Sequence, residues 1–194
     1  MSEPIHNFTA KVPTWSPYVT PVDLETATPE QLKAMKVTPS NTGFSRYVLT
    51  LAHDPESLEV RSPLFNLIMY GKDGLSSAER ELGAVGASVV NRCVYCAAVH
   101  ASRFIGITRR TDVIETIFAD EREARLPPRD QALFDFATKL STTPVEVGAD
   151  DAKALTDAGL SELEQLDLVL SAALFGWANR LMHTLGEPRA STPP

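Results

Sequence analysis

The stretch SSAERELGAVGASVVNRCVYCAAVHASRF, Ser76–Phe104, decides how this chain is read. It opens with Ser76 and, three residues on, Glu79, the capping-box pattern that satisfies unpaired backbone donors at a helix start. Ala78, Leu82, Val85 and Val89 then recur at three- and four-residue spacing, which predicts a helix with one apolar stripe. The chain's two cysteines follow, Cys93 and Cys96, and then His100. A second helix from Cys93 to Phe104 puts these three residues at i, i+3 and i+7, on one face near the helix start. Backbone donors there are unpaired and the helix dipole favours negative charge, so a thiol ionises more readily. Thiol redox chemistry needs an activated sulfur, a second sulfur to resolve the product and an imidazole to move protons, and this spacing supplies all three.

Other readings of the two cysteines stay open on the residues alone. Zinc takes about four ligands, and one Cys-x-x-Cys with a nearby histidine supplies three at most, crowded on one helix. Two core cysteines beside an unrelated histidine are a structural alternative. A thioredoxin-like arrangement needs a strand before the motif, and here a long helix precedes it. Glu79 and Arg80 are expected to face water. Glu81 lies beside the apolar stripe, where a carboxylate needs a partner. A histidine or water at the thiols would serve, and so would a lysine or arginine at a partly exposed position.

Upstream, Pro4, Pro13, Pro17, Pro21, Pro29 and Pro39 make residues 1–40 an extended arm, because proline fixes φ and lacks a donor. One short helix is expected there, in TPEQLKAMK, with Thr28 as N-cap and Pro29 in its first turn. Phe8, Trp15 and Tyr18 are too apolar for a free tail, so the arm should lie on its own domain or on a neighbouring subunit. From Asn41 the pattern is helical: NTGFSRYVLTLAHD, then ESLEVRSPLFNLIMYG, starting near Pro63 or bending there. Beyond the cysteine helix, Thr108 is read as the cap of RRTDVIETIFAD, PPRDQALFDFATKLST as a helix ending before Pro144, and GADDAKALTDAG as one stopped by Gly159. SELEQLDLVLSAALFGWANRLMHTLG closes the series with a second capping box, Ser161 and Glu164. The expected class is all-α, a helical domain over 41–187, with no convincing strand and a flexible tail over 188–194. GLSSAE at Gly74 and GLSELE at Gly159 each open a long apolar helix, either as independent caps or as the mark of an internal duplication.

The chain has 194 residues, 43% hydrophobic and 22% charged, with a formal net charge of −7. An acidic surface without a basic patch argues against nucleic acid as a partner. ADEREARLPPRD, Ala119–Asp130, mixes both charge signs and reads as a solvated face or turn. No apolar run approaches the ~20 residues of a membrane helix, and the N-terminus lacks the pattern of a secretory signal. The expected compartment is the reducing cytoplasm, where a lone cysteine pair is more often catalytic or metal-binding than a structural bridge.

The segment Glu81–His100, with its glutamate, Cys-x-x-Cys and histidine at matching spacing, resembles the AhpD-like alkylhydroperoxidases of the carboxymuconolactone decarboxylase superfamily. The length and the ending LFGWANRLMHTLGEP resemble the peroxidase-related subgroup. The resemblance implies an all-helical AhpD-like bundle, a homo-oligomer (trimer or hexamer), and a cofactor-free, metal-free hydroperoxide reductase with Glu81, Cys93, Cys96 and His100 as catalytic residues. In that cycle a thiolate attacks the peroxide, an alcohol leaves, and the sulfenic acid condenses with the other cysteine to a disulfide that an external dithiol reduces. Cys96, one turn from His100, is expected to attack and Cys93 to resolve, although both sulfurs are within reach of the imidazole; Glu81 and His100 form the proton relay. Some members carry a second histidine between the cysteines, where this chain has Tyr95, a poor base at neutral pH. The same sulfurs would also serve a dithiol adaptor that reduces a peroxiredoxin. A lyase like the decarboxylase branch would not need them.

Asn179 and His183, one turn apart on the last helix, are candidates for lining a pocket if that helix packs on the cysteine helix. Arg103 either attracts an anionic substrate or faces water, the second being favoured. His6 and His53 are expected at the surface.

Overall fold

A computed structural model describes residues 3–36 and 44–190. Residues 41–43 of the expected helical domain and 191–194 of the expected tail lie outside them. Among the described residues the regular elements are helices, apart from two four-residue strands and an isolated Pro4–Arg189 bridge. In order these are β1 (Thr14–Pro17), α1 (Pro29–Ala34), α2 (Arg46–Leu51), α3 (Pro55–Tyr70), α4 (Ser77–Val90), α5 (Val94–Thr108) and α6 (Thr111–Asp120). A 3₁₀ turn (Glu121–Glu123) leads to α7 (Pro128–Ser141), α8 (Ala149–Asp157), α9 (Glu162–Leu185) and β2 (Gly186–Arg189).

α4 is the hub, packed against α5, α7 and α9. Its residues from Arg80 to Val89 are all buried, so it has no solvated face along that run. Small side chains make this possible. A Cβ on Gly83 would sit 2.9 Å from Ser171 Oγ of α9, and one on Gly86 would sit 3.0 Å from Ala137 Cβ of α7. The two faces of α4 therefore admit two neighbouring helices at close approach.

Local signals hold at the helix starts. Ser76 and Ser161 accept from the N–H groups of Glu79 and Glu164, whose carboxylates bond back to the serine N–H groups at 2.9 and 2.7 Å. Gly74 and Gly159 precede these starts at φ of 76° and 82°, a backbone region that suits glycine. Arg129 of α7 joins the two starts, with Nε 2.7 Å from Glu79 and Nη2 2.9 Å from Glu164.

Several expectations need correction. Arg80 is buried, and its guanidinium donates to the carbonyls of Gly71 and Asp73 and pairs with Asp167 of α9 at 2.6 Å. The periodicity argument assumes one buried face, and α4 is enclosed on three sides. α3 begins at Pro55, capped by Asp54, and runs through Pro63 rather than starting near it. Thr108 ends α5 instead of capping α6, because Arg109 turns the chain at φ 63° and its N–H closes α5. Asp130 of the mixed-charge stretch is buried and paired with Arg110.

The strands were not anticipated. β1 pairs antiparallel with β2, Trp15 opposite Pro188 and Ser16 opposite Glu187. Pro188 and Arg189, placed in a flexible tail by sequence, are thus part of a ladder, and Ile5 N–H adds a 3.1 Å bond to the Pro188 carbonyl. The ladder forms because α9 ends at Leu185 and the chain continues extended beside the arm. Trp15 anchors the pairing, buried and donating to the Met182 carbonyl at 3.3 Å. Phe8 stacks on Phe118 of α6 with ring centroids 5.4 Å apart. No described helix is long and apolar enough to cross a membrane.

Candidate active site

The connection from α4 to α5 sets the site. Asn91 caps α4, Arg92 turns the chain at φ 56°, and Cys93 N–H bonds to the Ser88 carbonyl at 2.9 Å. α5 then folds back along α4. Cys93 is the N-cap of α5 rather than its first helical residue, and Cys96 lies one turn inside. Both thiols are free, 2% and 5% exposed. They hydrogen-bond to each other across the start of the helix.

This places their charge unequally. The Cys96 S–H bond holds the Cys93 thiol below its ordinary range, against burial, and the backbone N–H groups of Cys96 and Tyr95 add to the effect. Cys96 is pushed well above its ordinary range by the bond to Cys93, by burial and by the charge on Cys93. Of the two thiols, Cys93 at the helix N-terminus is therefore the one that ionises first, and Cys96 the one that keeps its proton longer.

The hairpin brings Glu81, in the second turn of α4, to His100, in the second turn of α5. Glu81 Oε2 is hydrogen-bonded to His100 Nδ1, and Glu81 is only 2% exposed. Arg103 Nη1 stands 3.8 Å from the other Glu81 oxygen. A proton held on Nδ1 by the carboxylate leaves Nε2 free to act as a base, the logic of a carboxylate–imidazole pair. Phe175 packs edge-on against the His100 ring, centroids 4.1 Å apart, and fixes its plane.

A cavity of about 290 Å³ opens onto this pair from between α2, α3, α5 and α9. Cys96 and His100 line it, and Cys93 does not. Tyr47, Phe65, Tyr95 and Phe175 give it an aromatic wall, and Arg61 and Arg103 are its guanidinium groups. Burial, followed by the charge on Cys96, raises the Tyr95 phenol above its usual range, so at neutral pH it is a donor and not a base. Tyr47 is pushed up to about 12, chiefly by burial.

All four sequence candidates, Glu81, Cys93, Cys96 and His100, come together at one place. Asn179 is fully buried and bonds both thiols from behind, while donating to Ser88 Oγ at 3.2 Å. His183 does not reach them; its Nε2 bonds to the Asn91 carbonyl at 2.9 Å, outside the cavity. Arg103, expected to face water, lines the cavity and bonds the Tyr70 hydroxyl at 2.7 Å. His53 is at the surface, bonded to the Thr20 carbonyl at 2.8 Å. Sequence reasoning missed Arg61, Tyr47 and Ser88, which no motif or spacing links to the cysteines. Among the described residues no group of three or more His, Cys, Asp or Glu side chains is placed to hold a metal ion.

Comparison with known proteins bears on the fold. Residues 55–139 match the sequence profile of the carboxymuconolactone decarboxylase family. A comparison with curated proteins gives no significant match. Among solved structures, the alkylhydroperoxidase AhpD core, uncharacterized peroxidase-related protein of Ralstonia eutropha JMP134 superposes with a TM-score of 0.77 at 28% identity, over 91% of this chain and 93% of that one. An uncharacterized peroxidase-related protein of Silicibacter sp. TM1040 gives 0.74 at 23% identity, over 90% and 95%. The debrominase Bmp8 gives 0.74 at 19%, over 90% and 92%, a likeness of fold. Over residues 55–139 the chain is similar to the carboxymuconolactone decarboxylase family, and its helical fold is AhpD-like.

Proposed function

We propose that this protein reduces organic hydroperoxides with its two thiols, without a cofactor. The observation that carries the reading is the cavity that ends on Cys96 and His100, with Cys93 hydrogen-bonded behind Cys96 and Glu81 behind His100. A peroxide in the cavity meets the Cys96 sulfur. His100 Nε2 takes the Cys96 proton, the sulfur attacks the outer peroxide oxygen, and the O–O bond breaks. The alkoxide leaves as the alcohol with the proton from His100, and Cys96 is a sulfenic acid. Cys93, the more readily ionised thiol, attacks the Cys96 sulfur as its thiolate, forming the disulfide and expelling hydroxide, which leaves as water with the proton Cys93 gave up. The peroxide has gained two electrons and the thiol pair has lost two. An external dithiol restores them by exchange.

The same sulfurs would serve an adaptor that reduces a peroxiredoxin. Their burial favours a small substrate, because a partner protein's disulfide has to touch a sulfur directly. Val60, Leu64 and Leu67 form an exposed apolar row on α3, and Leu163, Leu166 and Leu170 form another on α9. These faces support self-association into a trimer or hexamer.

The test is stopped-flow oxidation of the reduced protein by cumene hydroperoxide, with a brominated pyrrole, the kind of ligand crystallised with Bmp8, run in parallel. Loss of both thiols with one equivalent of peroxide supports the reading. Inert thiols that nevertheless reduce a peroxiredoxin disulfide support the adaptor. Turnover of the bromopyrrole alone would replace the peroxide with a halogenated substrate.

A further inference from the structure

The chain carries a net charge of −7, yet the charged side chains lining the cavity, apart from His100, are the guanidinium groups of Arg61 and Arg103. Arg61 is held by aromatic rings. Its guanidinium carbon lies 4.5 Å from the Phe65 ring centroid, 5.7 Å from that of Tyr47 and 5.8 Å from that of Trp177. No carboxylate pairs with it among the described residues, and its buried Nε has no hydrogen-bond partner. The buried Tyr47 hydroxyl faces Arg61 and is satisfied only by its contact with that guanidinium. Buried polar groups normally find partners, so a guanidinium at a cavity wall with no carboxylate and an unsatisfied Nε, beside a phenol, marks a place where an anionic ligand completes it. Arg103 stands nearer the water, bonded to Tyr70 and shared at 3.8 Å with Glu81. A cationic cavity on an acidic surface concentrates anions and repels nothing neutral.

We infer that the cavity takes a carboxylate-bearing organic hydroperoxide, its carboxylate bound by Arg61 and Tyr47 with Arg103 at the mouth. The guanidinium fork matches a carboxylate in two parallel bonds, and the phenol adds a third donor. The aromatic wall covers the carbon skeleton, and the volume suits a compact molecule rather than a long lipid. The inference rests on the peroxidase reading for its substrate, but the anion site is testable without it.

The substrate pair is 4-(2-hydroperoxypropan-2-yl)benzoic acid and its methyl ester, which differ only in charge. The readout is the ratio of their second-order rate constants for thiol oxidation. The wild type should favour the acid by about tenfold to a hundredfold, the range for a hydrogen bond to a charged group. In Arg61→Gln the ratio should fall close to one, and in Arg61→Lys it should fall only partly. Salt should slow the acid and leave the ester unchanged. Because the ratio cancels any effect of Arg61 on sulfur reactivity, equal slowing of both substrates overturns the inference, as does a wild-type ratio of one. The second measurement is calorimetric binding of 4-isopropylbenzoate, which has no peroxide. If neither hydroperoxide oxidises the thiols but this anion binds the wild type and not Arg61→Gln, the anion site stands and the peroxidase reading falls. If it binds neither protein, the anion site is wrong whatever the thiols do.

Discussion

Glu81 and His100 come from different helices and meet through a hydrogen bond in which both partners are withdrawn from water. A buried carboxylate–imidazole contact is costly unless each partner satisfies the other. It fixes the tautomer of His100 and leaves the second nitrogen to the cavity. The relay is therefore a property of the α4–α5 hairpin and not of α5 alone.

Glu81→Gln keeps the shape and removes the charge. Peroxide turnover should drop by up to the ~10²–10⁴-fold that general acid–base catalysis supplies, because His100 loses the carboxylate that orients it as the base, with the helical circular dichroism spectrum unchanged. Wild-type turnover in this variant would remove Glu81 from the relay.

The unequal charge on the thiols sets a pH dependence. Cys93 has its folded pKa depressed, so its thiolate, and its reactivity toward iodoacetamide, should persist below the ordinary thiol range and disappear as pH falls through that lowered value. Replacing Cys96 by alanine removes the first cause of the depression, and the Cys93 midpoint should rise. An unchanged midpoint would place the cause in the helix terminus alone.

Asn179→Ala should raise the Cys93 midpoint as well, because Asn179 also lowers it. It should cost about 1–3 kcal/mol in urea unfolding by leaving Ser88 Oγ and a thiol without a donor. A loss of stability with no change in thiol titration would make Asn179 a packing residue only.

Arg80→Met strands two carbonyls and Asp167, and should cost about 3–5 kcal/mol. Adding Asp167→Leu should recover part of it. Additive losses in the double variant would mean the pair is not coupled.

What could be read from sequence was local. The two capping boxes, the cysteine helix and the spacing of Cys96 and His100 all depend on residues within one or two turns of each other. Glu81 was singled out by its place beside an apolar stripe and by resemblance. Arg80 was misread because helical periodicity shows one buried face and α4 has neighbours on three sides. The β1–β2 ladder joins the two ends of the chain, and neither four-residue strand carries a pattern of its own. Arg61 and Tyr47 reach the cavity from α3 and α2, and no spacing connects them to Cys96. Only the folded arrangement, in which α2 and α3 share a cavity with α5 and α9, reveals them.

The most direct measurement is mass spectrometry of the reduced protein after brief exposure to less than one equivalent of cumene hydroperoxide. The expected product is an intramolecular Cys93–Cys96 disulfide, two mass units lighter than the thiol form, with Cys93→Ser trapping a sulfenic acid on Cys96. Thiols that stay reduced, or a sulfenic acid that collects on Cys93 in Cys96→Ser at the wild-type rate, would contradict the assignment of the attacking sulfur and the cavity as its route to peroxide.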